Sequence, residues 1–105
     1  MIDEIRKLKA IACGVRLRIL NVLLHKEEGL FVCDLVNILG IHQYNISKHL
    51  MILKNVGLVS DKKVGRSVLY KINSENSVII NFIKSMDLNR YPEYKKDIEK
   101  LDGFL

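Results

Sequence analysis

Gly40-Ile-His-Gln-Tyr-Asn-Ile-Ser-Lys-His-Leu-Met-Ile-Leu-Lys-Asn-Val-Gly57 is the stretch on which the fold turns. With Ile46 at the centre of an inward face and ~100° per residue, Leu50 and Leu53 fall within about 40° of it. This predicts a helix from about His42 to Asn55, buried along Ile46, Leu50 and Leu53 and ended by Gly57. Tyr44 and Lys48 then point outward, flanked by Gln43 and Ser47 on one side and Asn45 on the other. A solvated surface helix would more often pair Glu with Lys, yet no acid occurs between Ile41 and Ser60. Gln, Tyr, Asn, Ser and Lys on one face offer hydrogen bonds to base edges and phosphates.

Upstream, Leu30–Leu39 carries Val32, Leu35, Val36 and Leu39 on one side and stops at Gly40, so two short helices meet at a tight glycine turn, the helix-turn-helix arrangement. Before it, Ile2, Ile5, Leu8 and Ala12 mark an amphipathic helix, and Val15–Leu24 reads as a buried one. Downstream the period changes. Val68, Tyr70 and Ile72 alternate with Ser67, Leu69 and Lys71, and Val64-Gly65 divides two such runs, which predicts a β-hairpin over Leu58–Ile72. Val78, Ile79, Phe82, Ile83 and Met86 then form a wide apolar stripe on a further helix, and Pro92 opens a last short one over Glu93–Leu101. The fold expected is mainly α with a β-hairpin, in the order α-α-α-α-β-β-α-α, forming a single domain over residues 1–105.

The chain has 105 residues, is 49% apolar and carries a formal charge of +5. Lys48, Lys54, Lys62, Lys63, Arg66 and Lys71 against Asp61 place that whole excess in one window, which points to a polyanion. Lys62, Lys63 and Arg66 cluster at the hairpin tip, where they suit phosphates or a minor groove and also blunt an exposed strand edge. The acidic start Met1-Ile-Asp-Glu lacks the apolar core of a secretion signal, and no apolar run approaches a membrane span. A reduced, cytoplasmic protein is therefore expected, since Cys13 and Cys33 are too few for a disulfide scaffold. Phosphate loops, HExxH and nucleophile motifs are lacking, so an enzyme is not expected. A module that binds protein through the same helix is the competing class, and the acid-free basic face argues against it.

Three stretches together resemble the ArsR/SmtB family of metal-sensing repressors, over roughly Leu8 to Asn73. They are Leu8-Lys-Ala-Ile-Ala-Cys-Gly-Val-Arg-Leu-Arg-Ile-Leu20, Asn45-Ile-Ser-Lys-His-Leu-Met-Ile-Leu-Lys-Asn-Val-Gly-Leu-Val59 and Gly65-Arg-Ser-Val-Leu-Tyr70. The resemblance implies a winged helix-turn-helix homodimer whose two recognition helices sit about one DNA turn apart, ~34 Å, on a near-palindromic operator. DNA-reading residues would fall on Gln43, Tyr44, Ser47 and Lys48, with Arg66 in the wing and Asn45, Lys62 and Lys63 beside them. First and last helices would build the dimer, through Ile2, Ile5, Leu8, Val78, Ile79, Phe82, Ile83 and Met86, with Tyr91, Tyr94 and Phe104 padding it. The chain has His42 where the family commonly has Ser before the recognition helix.

The resemblance also implies release from DNA by a soft metal, a metalloid or thiol oxidation, with no metal required for DNA binding. The arsenic and cadmium sensors carry Cys-Val-Cys-Asp-Leu at the third helix. Here Phe31-Val-Cys33-Asp-Leu35 keeps only the second cysteine, and Ser74–Asn89 lacks the histidines of the zinc and cobalt site. Cys13 and Cys33 are the remaining thiophilic candidates, with His25, His42 and His49 as possible helpers. Two thiolates are few for As(III) or Zn(II), and both cysteines also read as small packing residues. A winged-helix regulator without metal sensing is the alternative.

Overall fold

The computed structural model describes residues 2–104, with side chains over residues 3–103. Its elements are α1 (Ile2–Ile11), α2 (Gly14–Leu24), β1 (Leu30–Phe31), α3 (Val32–Leu39), α4 (Gln43–Asn55), β2 (Val59–Val64), β3 (Ser67–Ile72), α5 (Ser77–Ser85), a 3-10 turn (Leu88–Arg90) and α6 (Pro92–Phe104). The helical order and the hairpin are as the periodicities predict. One strand is new. β1 pairs antiparallel with β3, Leu30 opposite Tyr70 and Phe31 opposite Leu69, giving a three-stranded sheet in the order β1-β3-β2. Two residues carry no period of their own, and only the pairing with β3 makes them a strand.

That pairing depends on Gly29. Its φ of +98° is left-handed, and a Cβ there would meet the Tyr70 carbonyl oxygen at 2.7 Å. At the other end of β3, Gly65 takes φ +62° as the first residue of a two-residue turn between Val64 and Ser67. Glycine first is the preference of a tight hairpin that keeps the strands' twist. The hairpin therefore projects as one rigid unit that ends in Arg66.

The core gathers Ile19, Leu20, Val22 and Leu23 of α2, Leu35, Ile38 and Leu39 of α3, and Ile46, Leu50 and Leu53 of α4. α2 is thus the central helix, as its density of Leu, Ile and Val predicts. Arg18 on its flank donates to both Asp97 oxygens of α6 (2.9 Å each) and to the Leu39 carbonyl that ends α3 (2.9 Å). Asp97 is buried, so the ion pair and its added carbonyl bond fasten α6 to α2 and α3. Leu101 of α6 enters the same core. α6 thus packs within the protomer. Tyr94 is half-buried against that core and Tyr91 is exposed, while the Phe104 side chain lies outside the described residues. The 3-10 turn is held to α2 by Asn21 Nδ2 donating to Asn89 Oδ1 (2.9 Å).

Gly29→Ala combines a strained backbone with a clash against a carbonyl that cannot move without breaking the sheet. The expected loss is about 2 kcal/mol or more of unfolding free energy, read as a lowered urea midpoint at unchanged m-value.

Candidate nucleic-acid interface

α4 is set in rotation by its buried stripe. Ile46, Leu50 and Leu53 are all fully buried, whereas Tyr44 is 70% exposed. Gln43, Asn45, Ser47 and Lys48 are also exposed, so the residues singled out from the sequence share the open side of one helix. Met51 joins them at 50% exposure. It was missed because an apolar residue in a core-dense helix is naturally assigned inward, although its angle of ~140° from Ile46 marks it as outward. A methionine on a reading face offers apolar contact to a thymine methyl group.

The N-terminus of α4 is capped by His42, whose Nδ1 accepts from the Tyr44 N–H at 3.1 Å. The imidazole thus supplies the acceptor of an N-cap, and the helix starts at Gln43. Helix α3 starts in a similar way, with the Phe31 N–H donating to Asp34 Oδ2 at 2.9 Å. This bond turns the chain from β1 directly into α3.

A groove of about 350 Å³ lies between α3, α4 and the hairpin, lined among others by Cys33, Gln43, Ser47, Arg66 and Ser67. Helix α4, the start of α3 and the wing tip therefore frame one surface. A wider open recess of about 500 Å³ between Leu24, Lys71, Ile80 and Lys84 contains none of the residues singled out on α4. Among the basic residues of the window, Lys54 is spent on Asp61 at 2.8 Å, tying α4 to β2. Lys48, Lys62, Lys63 and Arg66 make no salt bridge among the described residues. The positive face is therefore built from Lys48 and the hairpin tip.

The two cysteines differ. Cys33 is exposed in the groove beside Gln43, Ser47 and Arg66. Cys13 is half-buried at the start of α2. Among the described residues no group of three or more His, Cys, Asp or Glu side chains is placed to hold a metal ion. His25 and His42 are engaged elsewhere, His25 with the Asn21 carbonyl and His42 with its cap. The ligand helpers considered from the sequence are thus not brought together.

The apolar stripe of the fifth helix divides. Within the protomer Ile79 and Ile83 turn into its own core and Met86 packs half-buried against it. The stripe is wide enough to serve two sides, and its centre faces inward. Val78 and Phe82 stay open at 79% and 49% exposure, as do Ile5 and Leu8 of α1 at 51% and 46%. A recess lined by Glu4 and Lys7 of α1 and by Val78 and Ile79 of α5 lies between the two helices. The Ile2 side chain lies outside the described residues.

Residues 13–61, which span α2 to the start of the hairpin, match the model of the bacterial regulatory proteins of the arsR family. The reduced form of HlyU from Vibrio cholerae is 32% identical, with a TM-score of 0.68 over 85% of this chain and 87% of that one. The chain belongs to the arsR family of bacterial regulatory proteins. Its fold is the winged helix-turn-helix. The arsenical resistance operon repressor of Escherichia coli is 43% identical over 70 residues, 66% of this chain and 58% of that protein. The chain spans 56–60% of the length of curated relatives of this kind. A homodimeric winged helix-turn-helix DNA-binding domain from Mycobacterium bovis is 26% identical, with a TM-score of 0.70 over 83% of this chain and 80% of that one. The family is one of regulators and not of catalysts. No helix among the described residues is long and apolar enough to cross a membrane.

Proposed function

We propose that this protein is a homodimeric, sequence-specific transcriptional repressor that reads operator DNA with α4 and is released by a thiol-directed signal. The observation that carries the reading is the open face of α4, where Gln43, Tyr44, Asn45, Ser47 and Lys48 stand clear of the core and Gln43 and Ser47 share a groove with Arg66 of the hairpin tip. A helix so exposed, polar and acid-free fits a major groove, and the wing lysines and arginine fit the flanking phosphates. The open apolar residues of α1 and α5, Ile5, Leu8, Val78 and Phe82, supply the second copy's contact. Two copies then present two reading helices to a near-palindromic site. The homodimeric solved relative supports this reading.

Cys33 gives the signal its place. The thiol opens into the groove that DNA would occupy, so a soft metalloid bound to its thiolate, or an oxidised sulfur, stands against bound DNA. The matching position to the family's first cysteine is Phe31, so a metalloid held here would draw its other ligands from a small thiol.

Three outcomes test the proposal. In fluorescence anisotropy on labelled DNA from the protein's own upstream region, Lys48→Ala and Arg66→Ala should each weaken binding and flatten the slope of log affinity against log salt by about 1. Gln43→Ala and Tyr44→Ala should instead narrow the gap between operator and unrelated DNA, and four variants indistinguishable from wild type would remove the assignment of the reading face. As(III) with glutathione, or a thiol oxidant, should release wild-type protein and leave Cys33→Ala bound at the same affinity; equal release of both would assign the signal elsewhere. Phe82→Asp should shift the protein from dimer to monomer in analytical ultracentrifugation, and an unchanged dimer would move the interface off α5.

A further inference from the structure

Arg16 joins three helices at one point. Its Nε donates to the carbonyl of Ala10 in the last turn of α1 (2.5 Å), and its Nη1 lies 3.1 Å from Nδ1 of His49 on α4. A guanidinium has donors and no acceptor. Nδ1 is therefore the accepting nitrogen, and His49 is neutral with its proton on Nε2. Burial of the ring, then the positive charges of Arg16 on α2 and Lys48 on its own helix, push the imidazolium below the ordinary histidine range. From α1 the arrangement receives a backbone carbonyl through Arg16. His49 sits at ~60° from Ile46, on the flank of α4 opposite Gln43 and Ser47. The contact thus braces the back of the reading helix against the end of α1.

The brace matters because α1 and α4 have different outward tasks. α1 presents Ile5 and Leu8, and α4 presents Tyr44 and Lys48. Resting on the dimeric operator-binding reading above, we propose that Arg16 and His49 are positioning residues for that binding. They fix the angle of the reading helix relative to the dimer helix, and protonation of His49 releases the brace. A protonated Nδ1 would face the guanidinium as donor against donor and cation against cation. Because the folded protein binds this proton less readily than the unfolded chain does, the brace is complete at and above the ordinary histidine range and is lost as pH falls through the lowered value that His49 has in the folded protein. The added positive charge favours non-specific DNA at the same time, so the quantity that falls is the preference for operator over unrelated DNA.

The test measures that preference by anisotropy at pH 7.5 and pH 5.5. Wild type should lose about tenfold of its preference on acidification. His49→Asn offers Oδ1 near the place of Nδ1, accepts from Arg16 and does not titrate, so it should keep the preference at both pH values. His49→Leu should have low preference at pH 7.5 with non-specific affinity intact. If His49→Leu fails to fold by circular dichroism, Arg16→Lys decides the same question, because a point ammonium cannot span both acceptors as the planar fork does. An Asn variant that loses preference on acidification as wild type does, or a Leu or folded Lys variant with wild-type preference, would overturn the assignment alone. Wild type with no operator preference at pH 7.5 would overturn the repressor reading as well.

Discussion

The rotation of α4 about its own axis is the constraint on which the molecule's outer surface depends. Ile46, Leu50 and Leu53 are driven into the core by burial worth roughly 1.5–3 kcal/mol each, and none is accessible to solvent. A helix with 3.6 residues per turn has no freedom left once one stripe is fixed. Tyr44, Lys48 and Met51 must face out because those three face in. The specificity of the reading face is thus a by-product of packing, and no separate device holds the polar side chains outward. A buried hydrophobe moved one position along α4 would turn the face by ~100° and leave the fold with the wrong residues on show.

Around that helix, polar bonds fix direction where packing alone would leave it loose. Hydrophobic burial has no preferred angle. Asn73 and Asn76 both donate to the Gly57 carbonyl, at 3.0 and 2.7 Å, and so tie the exit of α4 to the end of the hairpin and the start of α5. Lys54 to Asp61 ties α4 to β2. Arg18 does the same for α3 and α6, and its bidentate hold on Asp97 is the kind of pair whose loss leaves a buried charge uncompensated. The asparagine and Lys54 contacts orient the hairpin and the start of α5 relative to α4, and Arg18 orients α3 and α6 relative to α2.

What was legible in the sequence follows the same division. The stripe of α4, the amphipathic α1 and the alternation of β3 are local periods, and they were read with boundaries within a few residues. Gly65 marked its turn because glycine there has a local reason. β1 was not legible, since two residues have no period and Gly29 serves a strand that lies forty residues away. The split of the α5 stripe was not legible either, because five apolar residues on one helix do not say how many neighbours share them. Arg18 with Asp97 and Arg16 with His49 are separated by 79 and 33 residues. No spacing rule links such pairs, and single charged residues within helices look like solvated ones. His42 is not among the usual capping residues, yet its ring nitrogen accepts from the Tyr44 N–H.

The placement of Cys33 changes what kind of control the chain needs. A sensor on α5 or at the dimer face must pass its state through α1, α2 or the core to reach α4, and such a route requires an element with two arrangements. A thiol in the groove beside Gln43, Ser47 and Arg66 needs no such route, because anything bound to it occupies the space and charge that DNA would take. Under the proposed signal, direct occlusion asks for one cysteine only, where pulling a helix would ask for two separate thiolates. Arg16 and His49 then serve the opposite purpose: they keep the reading helix still while the groove in front of it is filled or emptied.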